Sequence, residues 1–381
     1  MAHAADNTEQ AKANLSQSHG IFENKEIDFF PIPIFETRPD EGESYGLMPV
    51  VLFTDKDSKA ISVILAAIGQ WNSVIKASGA SLGYYYPHPV ENPDEVFQFY
   101  VELAQKYYRE GEVRYTNPKF LDKLYLDAHF RWLKSPFWRF YGYGAASAKS
   151  DESNFVGRSF RFDLLAGYHL TKNIRLNLRE EFFTMDLLTR AFPNVSDTLT
   201  RYGNQNGVND ETNLLHHISL SYDSRPKGAN SKRGLFLEAG YFASIKNLLS
   251  DTGFQGFKAE GVLLVPFLKE RTITAMRFFV QDMYGDNIPF YLQSDLGGAN
   301  ELRSFIPNRF TDTGKMIFTW EQRINYWSPS LFGINVELYA DPFIEVGRVF
   351  NHMNNLGFDN WQPVAGLGAK SCGSPQCCRS T

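Results

Sequence analysis

The sequence predicts an all-β protein, a transmembrane antiparallel β-barrel, and three observations carry that prediction. From Tyr45 onward, apolar residues recur at every second position through segments of ten or more residues. That is the period of a strand. The segments are also long: strands of globular sheets run to about 5–6 residues, whereas a tilted strand crossing a bilayer needs about 9–11. Finally, the longest apolar run, about Ala60 to Ile75, is interrupted by Gln70, Trp71 and Asn72. It falls short of the ~20 apolar residues of a spanning helix. The mean hydropathy of -0.32 argues against a polytopic helical protein but not against a barrel, whose strands alternate lipid-facing and lumen-facing residues. Composition by itself leaves a soluble β-rich protein equally open; strand length separates the two.

Taken in order, residues 1–44 read as a flexible polar leader, 45–370 as the barrel and 371–381 as an off-pattern tail. Within the barrel, Leu124, Leu126, Ala128, Phe130 and Trp132 share one face against Tyr125, Asp127, His129 and Arg131. Phe160, Phe162, Leu164, Ala166 and Tyr168 oppose Ser159, Arg161, Asp163 and Gly167. Ile174, Leu176 and Leu178 oppose Arg175, Asn177 and Arg179. Met316, Phe318, Trp320, Ile324 and Tyr326 oppose Lys315, Thr319, Glu321, Arg323 and Asn325, and Phe332 to Leu338 alternate likewise. With noisier segments near 45–54, 59–69, 73–86, 94–104, 213–223, 234–247, 254–268, 271–285, 342–350 and 361–370, about fourteen strands are visible. Eleven of them precede the long segment 286–313. Tight connections (Thr171-Lys172, Lys269-Glu270) contrast with the long polar ones at 186–212 and 286–313, as in outer-membrane barrels with short periplasmic turns and long outer loops. Tyr84-Tyr85-Tyr86 and Tyr326-Trp327 at strand ends suit an interfacial aromatic girdle; plain core packing is the alternative for any one of them.

The 381 residues carry a net charge of -5 and 15% aromatics. Such a chain has the apolar surface to fold and lacks the basic footprint of a nucleic-acid binder. The three cysteines, Cys372, Cys377 and Cys378, sit together in the tail and build neither a disulfide framework nor a zinc site.

Residues 296–310 read Leu-Gly297-Gly298-Ala-Asn-Glu-Leu302-Arg303-Ser304-Phe305-Ile-Pro-Asn-Arg-Phe. This resembles the loop signature of the Omp85 superfamily of surface-antigen (D15-type) barrels: Gly-Gly, a short spacer, then Val/Leu-Arg-Gly-Phe/Tyr. Two later stretches fit in order. Phe318-Thr-Trp-Glu321-Gln-Arg323 is similar to the next strand of the family. Pro342-Phe343-Ile-Glu345-Val-Gly347 is similar to its Phe-x-Asp-x-Gly segment. Asp223-Ser-Arg225 with Arg233-Gly234 resembles its Asp-Thr-Arg-Asp…Arg-Gly turn. The likeness spans about 45–370, its specific motifs 222–350.

The resemblance implies a sixteen-stranded outer-membrane barrel of bacteria, with 286–313 as the sixth outer loop, folded into the lumen after strand eleven. It implies insertion or translocation of outer-membrane or secreted client proteins, through a weak lateral seam between first and last strands. Outer-membrane lipids are then partners, nucleic acid is not, and neither cofactor, metal nor covalent chemistry is called for. The leader is too short for a periplasmic POTRA module. After Lys370 the family pattern would continue through about two more strands, which suggests a truncated or frame-shifted end.

Strand parity adds a physical expectation. Glu321 and Glu345 fall on the polar faces of their strands, so Arg303 has two inward carboxylates available. A forked guanidinium suits them, and a desolvated charge needs a partner. Arg303, Phe305, Glu321 and Glu345, with Gly297 and Gly298, are therefore expected to latch the loop. Two departures bear on this: Ser304 stands where the family has glycine, and Glu345 where it has aspartate.

A passive pore or structural surface antigen is the second functional reading. A soluble hydrolase is the third, because Gly79-Ala-Ser81-Leu-Gly83 matches the nucleophile elbow. That elbow requires a strand-to-helix turn, and Tyr84-Tyr-Tyr-Pro-His-Pro continues a strand instead. His216 and His217 point to opposite faces and cannot share a metal; the 204–211 loop lacks calcium-loop spacing.

Overall fold

The computed structural model describes residues 24–373 except 39–41, 59, 74–77, 87–89, 91, 93, 105–107, 227–230 and 332–333. Residues 1–23 of the expected leader lie outside the described residues, as do 374–381 of the tail with Cys377 and Cys378.

The strands are β1 (Lys25–Arg38), β2 (Gly42–Asp55), β3 (Ile61–Asn72), β4 (Ser78–Tyr85), β5 (Val96–Ala104), β6 (Tyr108–Phe120) and β7 (Leu124–Phe140). Next come β8 (Ser153–His169), β9 (Ile174–Leu188), β10 (Ser196–Asp197), β11 (Glu211–Asp223), β12 (Gly234–Ser244), β13 (Phe254–Phe267) and β14 (Thr272–Gly285). The last are β15 (Ser294–Leu296), β16 (Phe310–Asp312), β17 (Gly314–Trp327), β18 (Ser330–Leu331), β19 (Ile334–Phe350) and β20 (Gln362–Gly373). Among the described residues, apart from the two- and three-residue pieces β10, β15, β16 and β18, sixteen are long. Each long strand pairs antiparallel with the next, β1 through β20.

The two strands beyond the fourteen read from the sequence are β1 and β6. β1 falls inside the expected leader, so that segment is sheet, not leader, from Lys25. Its stretch Phe29-Phe-Pro-Ile-Pro-Ile-Phe35 is apolar at both parities and carries two prolines, which hides the period and demotes a run to an edge strand. β6 presents Arg109, Gly111 and Val113 on its outer face, too few apolar groups to alternate. With both counted, thirteen long strands precede the 286–313 loop, not eleven, and the loop is the seventh connection at its end of the sheet rather than the sixth. β20 runs to Gly373, three residues into the expected tail.

The wall is apolar outside and polar inside. Phe99, Val101, Phe130, Phe162, Leu164, Leu178, Ile218, Leu220, Phe278, Phe318 and Ile344 are exposed outward. The opposite face carries paired charges. Arg114 meets Asp127 at 2.9 Å, Arg131 meets Glu110 at 2.6 Å, and Arg277 meets Glu260 at 2.7 Å. Arg179 bonds Asp163. His217 lies 3.6 Å from Glu181 on this inner face, whereas His216 bonds Glu180 at 2.6 Å on the outer one. This inversion is the arrangement of a barrel in lipid. At the long-loop rim, Phe35, Tyr45 and Trp71 make an outward aromatic cluster, with ring centroids 5.2 and 6.4 Å apart.

At the short-turn end, positive-φ pairs such as Leu121-Asp122 and Lys269-Glu270 reverse the chain tightly after β6 and β13, while β11 and β12 are joined by the longer 224–233. At the other end, the loops 141–152, 189–210 and 286–313 pack on one another. Phe140, Phe155, Phe183, Met185, Tyr202 and Phe290 form a buried core there. Tyr143 donates to the Asn206 carbonyl at 2.7 Å, and Phe290 N–H to the Gly207 carbonyl at 3.0 Å. Gly207 has φ +76, and a Cβ would sit 2.2 Å from the Ile288 carbonyl. The loops thus form a cap whose Tyr202 and Phe290 are seated on the ends of β7, β8 and β9.

Truncating Phe290, which is 3% exposed, should therefore release the cap without dissolving the wall. The expected loss for Phe290→Ala is about 3–5 kcal/mol of local stability. Limited proteolysis would read it as faster cleavage within 189–210 while the strand fragments stay protected.

Candidate functional site: a loop clamped inside the barrel

The 286–313 loop is built to turn back on itself. β15 and β16 pair antiparallel, Ser294 with Asp312 and Leu296 with Phe310, and make its stem. Gly297 and Gly298 follow with φ of 125 and 103. A Cβ at Gly297 would lie 2.1 Å from the Ile306 carbonyl, so no other residue fits that crossing. Gly298 N–H donates to the Phe305 carbonyl at 2.9 Å, and Phe305 N–H to the Leu302 carbonyl at 2.8 Å, closing the tip.

Leu302 takes φ 55, unusual for a branched side chain. It is held there by complete burial: Leu302, Leu296 and Ile317 are each 0% exposed and pack with Phe310, Phe343, Val349 and Val364. Gly347 makes room, since its absent Cβ would lie 3.2–3.4 Å from Leu296, Ile317 and Leu302 side chains. Ser304 is exposed and has no positive φ. The strained backbone thus falls at Leu302, and serine at 304 costs nothing visible.

Once Leu302 is seated, Arg303 meets the wall. Its backbone N–H donates to Glu345 Oε2 at 2.8 Å, its Nε to Glu345 Oε1 at 3.0 Å, and its Nη1 to Glu321 Oε2 at 2.9 Å. Its guanidinium lies 3.5 Å from the Phe343 ring centroid, a cation–π contact. Glu321 sits beside Phe343 across the β17–β19 ladder, and Thr319 beside Glu345, so both carboxylates enter from neighbouring strands. Glu345 is 1% exposed and reaches two Arg303 donors at once. Phe305 packs edge-on against Phe310 at 5.2 Å.

The sequence reading missed the groups around these four. Glu321 Oε1 also accepts from Arg323 Nε and from Lys370 Nζ, both at 2.8 Å. Lys370 in turn lies 3.2 Å from fully buried Asp341. On the other side of the tip, Glu301 accepts from Lys315 Nζ at 2.6 Å and from both Arg277 Nη atoms at 3.2 Å. The loop thus offers a cation and an anion two residues apart, and the wall holds each by its opposite. Burial raises the Asp295 carboxyl above its ordinary value, with Lys315 opposing that shift. Arg309, over the Tyr141 ring at 4.7 Å and bonded to the Ser147 carbonyl at 2.7 Å, ties the loop to the cap. Parity already placed Lys315 and Arg323 inward; pairing partners for Glu301 had no local signal.

The expected turn residues assemble separately. Arg225 Nε and Nη2 bond Asp223 at 2.9 and 2.8 Å, and Arg225 stacks on Phe236 at 4.6 Å. Gly234 has φ 117, with Arg225 Cα 2.8 Å from where a Cβ would be. They form a self-contained turn, not part of the loop clamp. Ser81 lies within strand β4, which continues to Tyr85, so the strand-to-helix turn of the elbow is not found at Ser81; its side chain is outside the described residues.

Removing one partner of a buried ion pair costs about 3–5 kcal/mol. Arg303→Ala and Glu345→Gln should each destabilise the folded barrel on that scale. Their combination should cost clearly less than the sum, as a double-mutant cycle of heat-induced unfolding would read; strict additivity would mean the two do not act together. Gly297→Ala should undock the tip with the clamp residues intact.

A model of the Omp85 superfamily domain matches residues 95–364, more than half of the chain. No curated protein matches the sequence. Among solved structures, BamA from Haemophilus ducreyi lacking POTRA domains 1–3 is similar in fold. Its TM-score is 0.53 at 12% identity, over 98% of this chain and 75% of that one. CdiB from Escherichia coli gives a TM-score of 0.48 at 11% identity, over 91% of this chain and 56% of that one. CdiB from Acinetobacter baumannii gives 0.41 at 9%, over 93% and 62%. The family match, on a wall that is apolar outside, polar inside and closed over by a clamped loop, shows that the chain belongs to the Omp85 superfamily.

Proposed function

We propose that this protein resides in the bacterial outer membrane and assists the insertion or translocation of protein clients, with the 286–313 loop as the element that stiffens its wall. The observation that carries this reading is the clamp on Arg303 from two adjacent strands, β17 and β19. A loop bound to both strands couples their positions; releasing it takes the Arg303 guanidinium from buried Glu345, while Glu321 keeps Arg323 and Lys370. Docked and undocked loops therefore correspond to a stiff and a compliant wall next to the β20 edge. The wall's outward apolar face makes outer-membrane lipid its surroundings, and the reading invokes no covalent step, metal or cofactor.

One observation favours the passive-pore reading. A cavity of about 350 Å³ lies between the loop residues Pro307 and Asn308 and a polar wall that includes Gln70, Asn72, Glu102 and Arg131. Water and small polar solutes fit there with the loop still docked.

The two readings separate in lipid vesicles. For the insertase, folding of an unfolded outer-membrane protein should be faster with the reconstituted chain than in empty vesicles. Arg303→Ala should lose most of that acceleration, about tenfold, while keeping a heat-modifiable band. Client folding at the empty-vesicle rate, together with solute-dependent swelling, would replace the insertase by the pore.

A further inference from the structure

Three cations stand side by side on the outward face of the wall. Arg109 of β6 lies opposite Lys134 of β7, and Lys134 lies opposite Arg158 of β8. They share the outward parity of Val113, Phe130 and Phe162 on the same three strands. Arg109 and Arg158 are exposed and Lys134 is half-buried. Residues directly opposite on neighbouring strands hold their Cβ atoms about 4.5–5.5 Å apart, and like charges so placed destabilise the pair. The row ends at Asp186 of β9, opposite Arg158, whose Nε donates to it at 2.7 Å. One carboxylate thus meets three cations. Among the described residues, Arg109 and Lys134 have no carboxylate partner. On the inner face of these strands, cations do meet carboxylates, as Arg131 meets Glu110.

The row also marks a height. Below Lys134, the outward residues of β7 run Trp132, Phe130, Ala128, Leu126 and Leu124, the last at the short-turn end. Those ten steps, at about 3.3 Å each and a tilt of about 40°, rise about 25 Å, the apolar band of an outer-membrane barrel. Above the row, β7 continues to Phe140 and β8 begins at Ser153, next to the loop cap. The cations therefore sit where acyl chains give way to headgroups on the long-loop side. Trp132, one outward position below Lys134, suits that boundary. Long basic side chains lay their stems on apolar surface and hold the charge at the interface.

We propose that Arg109 and Lys134, flanked by Arg158, form a site for the phosphate of an outer-leaflet lipid whose chains lie on the Phe and Trp face below. The two cations without a carboxylate match a phosphomonoester, which carries about 1.5–2 negative charges near pH 7. Arg109 offers a fork of donors and Lys134 a point charge. An anion here offsets the repulsion along the row, which Asp186 relieves at one end only. A free anion in water gains little from exposed cations screened by salt. A lipid is held at the height of the row by its own chains. The inference deepens the outer-membrane reading above and rests on it: it names the headgroup that this wall prefers, and the sector that holds it.

The test folds the chain into phosphatidylcholine vesicles that contain a minor share of phosphatidic acid. The protein is then extracted in mild detergent, and its bound lipid is identified by native mass spectrometry. Phosphatidic acid should be enriched on the protein about tenfold over its share of the vesicle. Arg109→Gln/Lys134→Gln should bring that ratio close to one. Lys123→Gln/Lys172→Gln, which removes two exposed cations from the short-turn end, should leave it unchanged. Undiminished enrichment in the row variant would overturn the proposal. So would its loss in both double variants, the sign of net charge alone. Displacement of the lipid by millimolar inorganic phosphate would overturn it too, assigning the row to a free anion. Should the row variant fail to fold, Lys134→Gln carries the same readout at smaller amplitude. A heat-modifiable band without enrichment in the unmodified chain would sink the lipid site alone; no band at all would sink the barrel reading and the site together.

Discussion

The constraint on which the rest depends is the sidedness of the wall. A strand that offers one face to lipid must send its polar residues to the other, and successive strands pool them in one interior. The charges so gathered are costly unless each finds an opposite. Asp127, Asp163, Glu181, Glu260, Glu321 and Glu345 each have a cation within reach. The loop is an extension of that rule: Arg303 answers a carboxylate surplus on β17 and β19, and Glu301 answers Arg277 and Lys315.

Hydrophobic and ionic terms are ordered in this site. The Leu296–Leu302–Ile317 contact, admitted by Gly347, sets where the tip comes to rest. Only then do the Arg303 atoms fall at bonding distance from two carboxylates. A salt bridge alone would specify the tip poorly, because long side chains tolerate displacement. A leucine at positive φ, wholly buried, does not. The family's usual glycine in the position of Ser304 is unnecessary for the same reason: the strain has been moved to Leu302, where packing offsets it.

What the sequence disclosed follows from where the signal is local. Strand period is local, and β7, β8 and β17 were legible because their outer faces are rich in Phe and Leu. The clamp carboxylates were legible because parity within one strand assigns a face without knowledge of its neighbours. β6 was hidden because its outer face holds Arg109, Gly111 and Val113, and β1 because its prolines break the period. Lys370 and Asp341 as partners of the Glu321 network depend on the cross-strand pair Tyr339–Lys370, a relation between segments some thirty residues apart that no single stretch contains.

The two missed strands are also the ones least like the rest. A wall strand needs donors and acceptors on both sides, and proline removes a donor wherever it stands. Pro136, Pro266 and Pro342 all lie within long strands, so the wall tolerates single losses. Pro31 and Pro33 differ in being two apart, hence turned the same way, on a strand that among the described residues pairs only with β2. The same residues that blur the sequence pattern of β1 therefore distinguish its edge physically. The irregular period of β1 thus has a physical counterpart, the two N–H groups that Pro31 and Pro33 do not supply on one side of the strand.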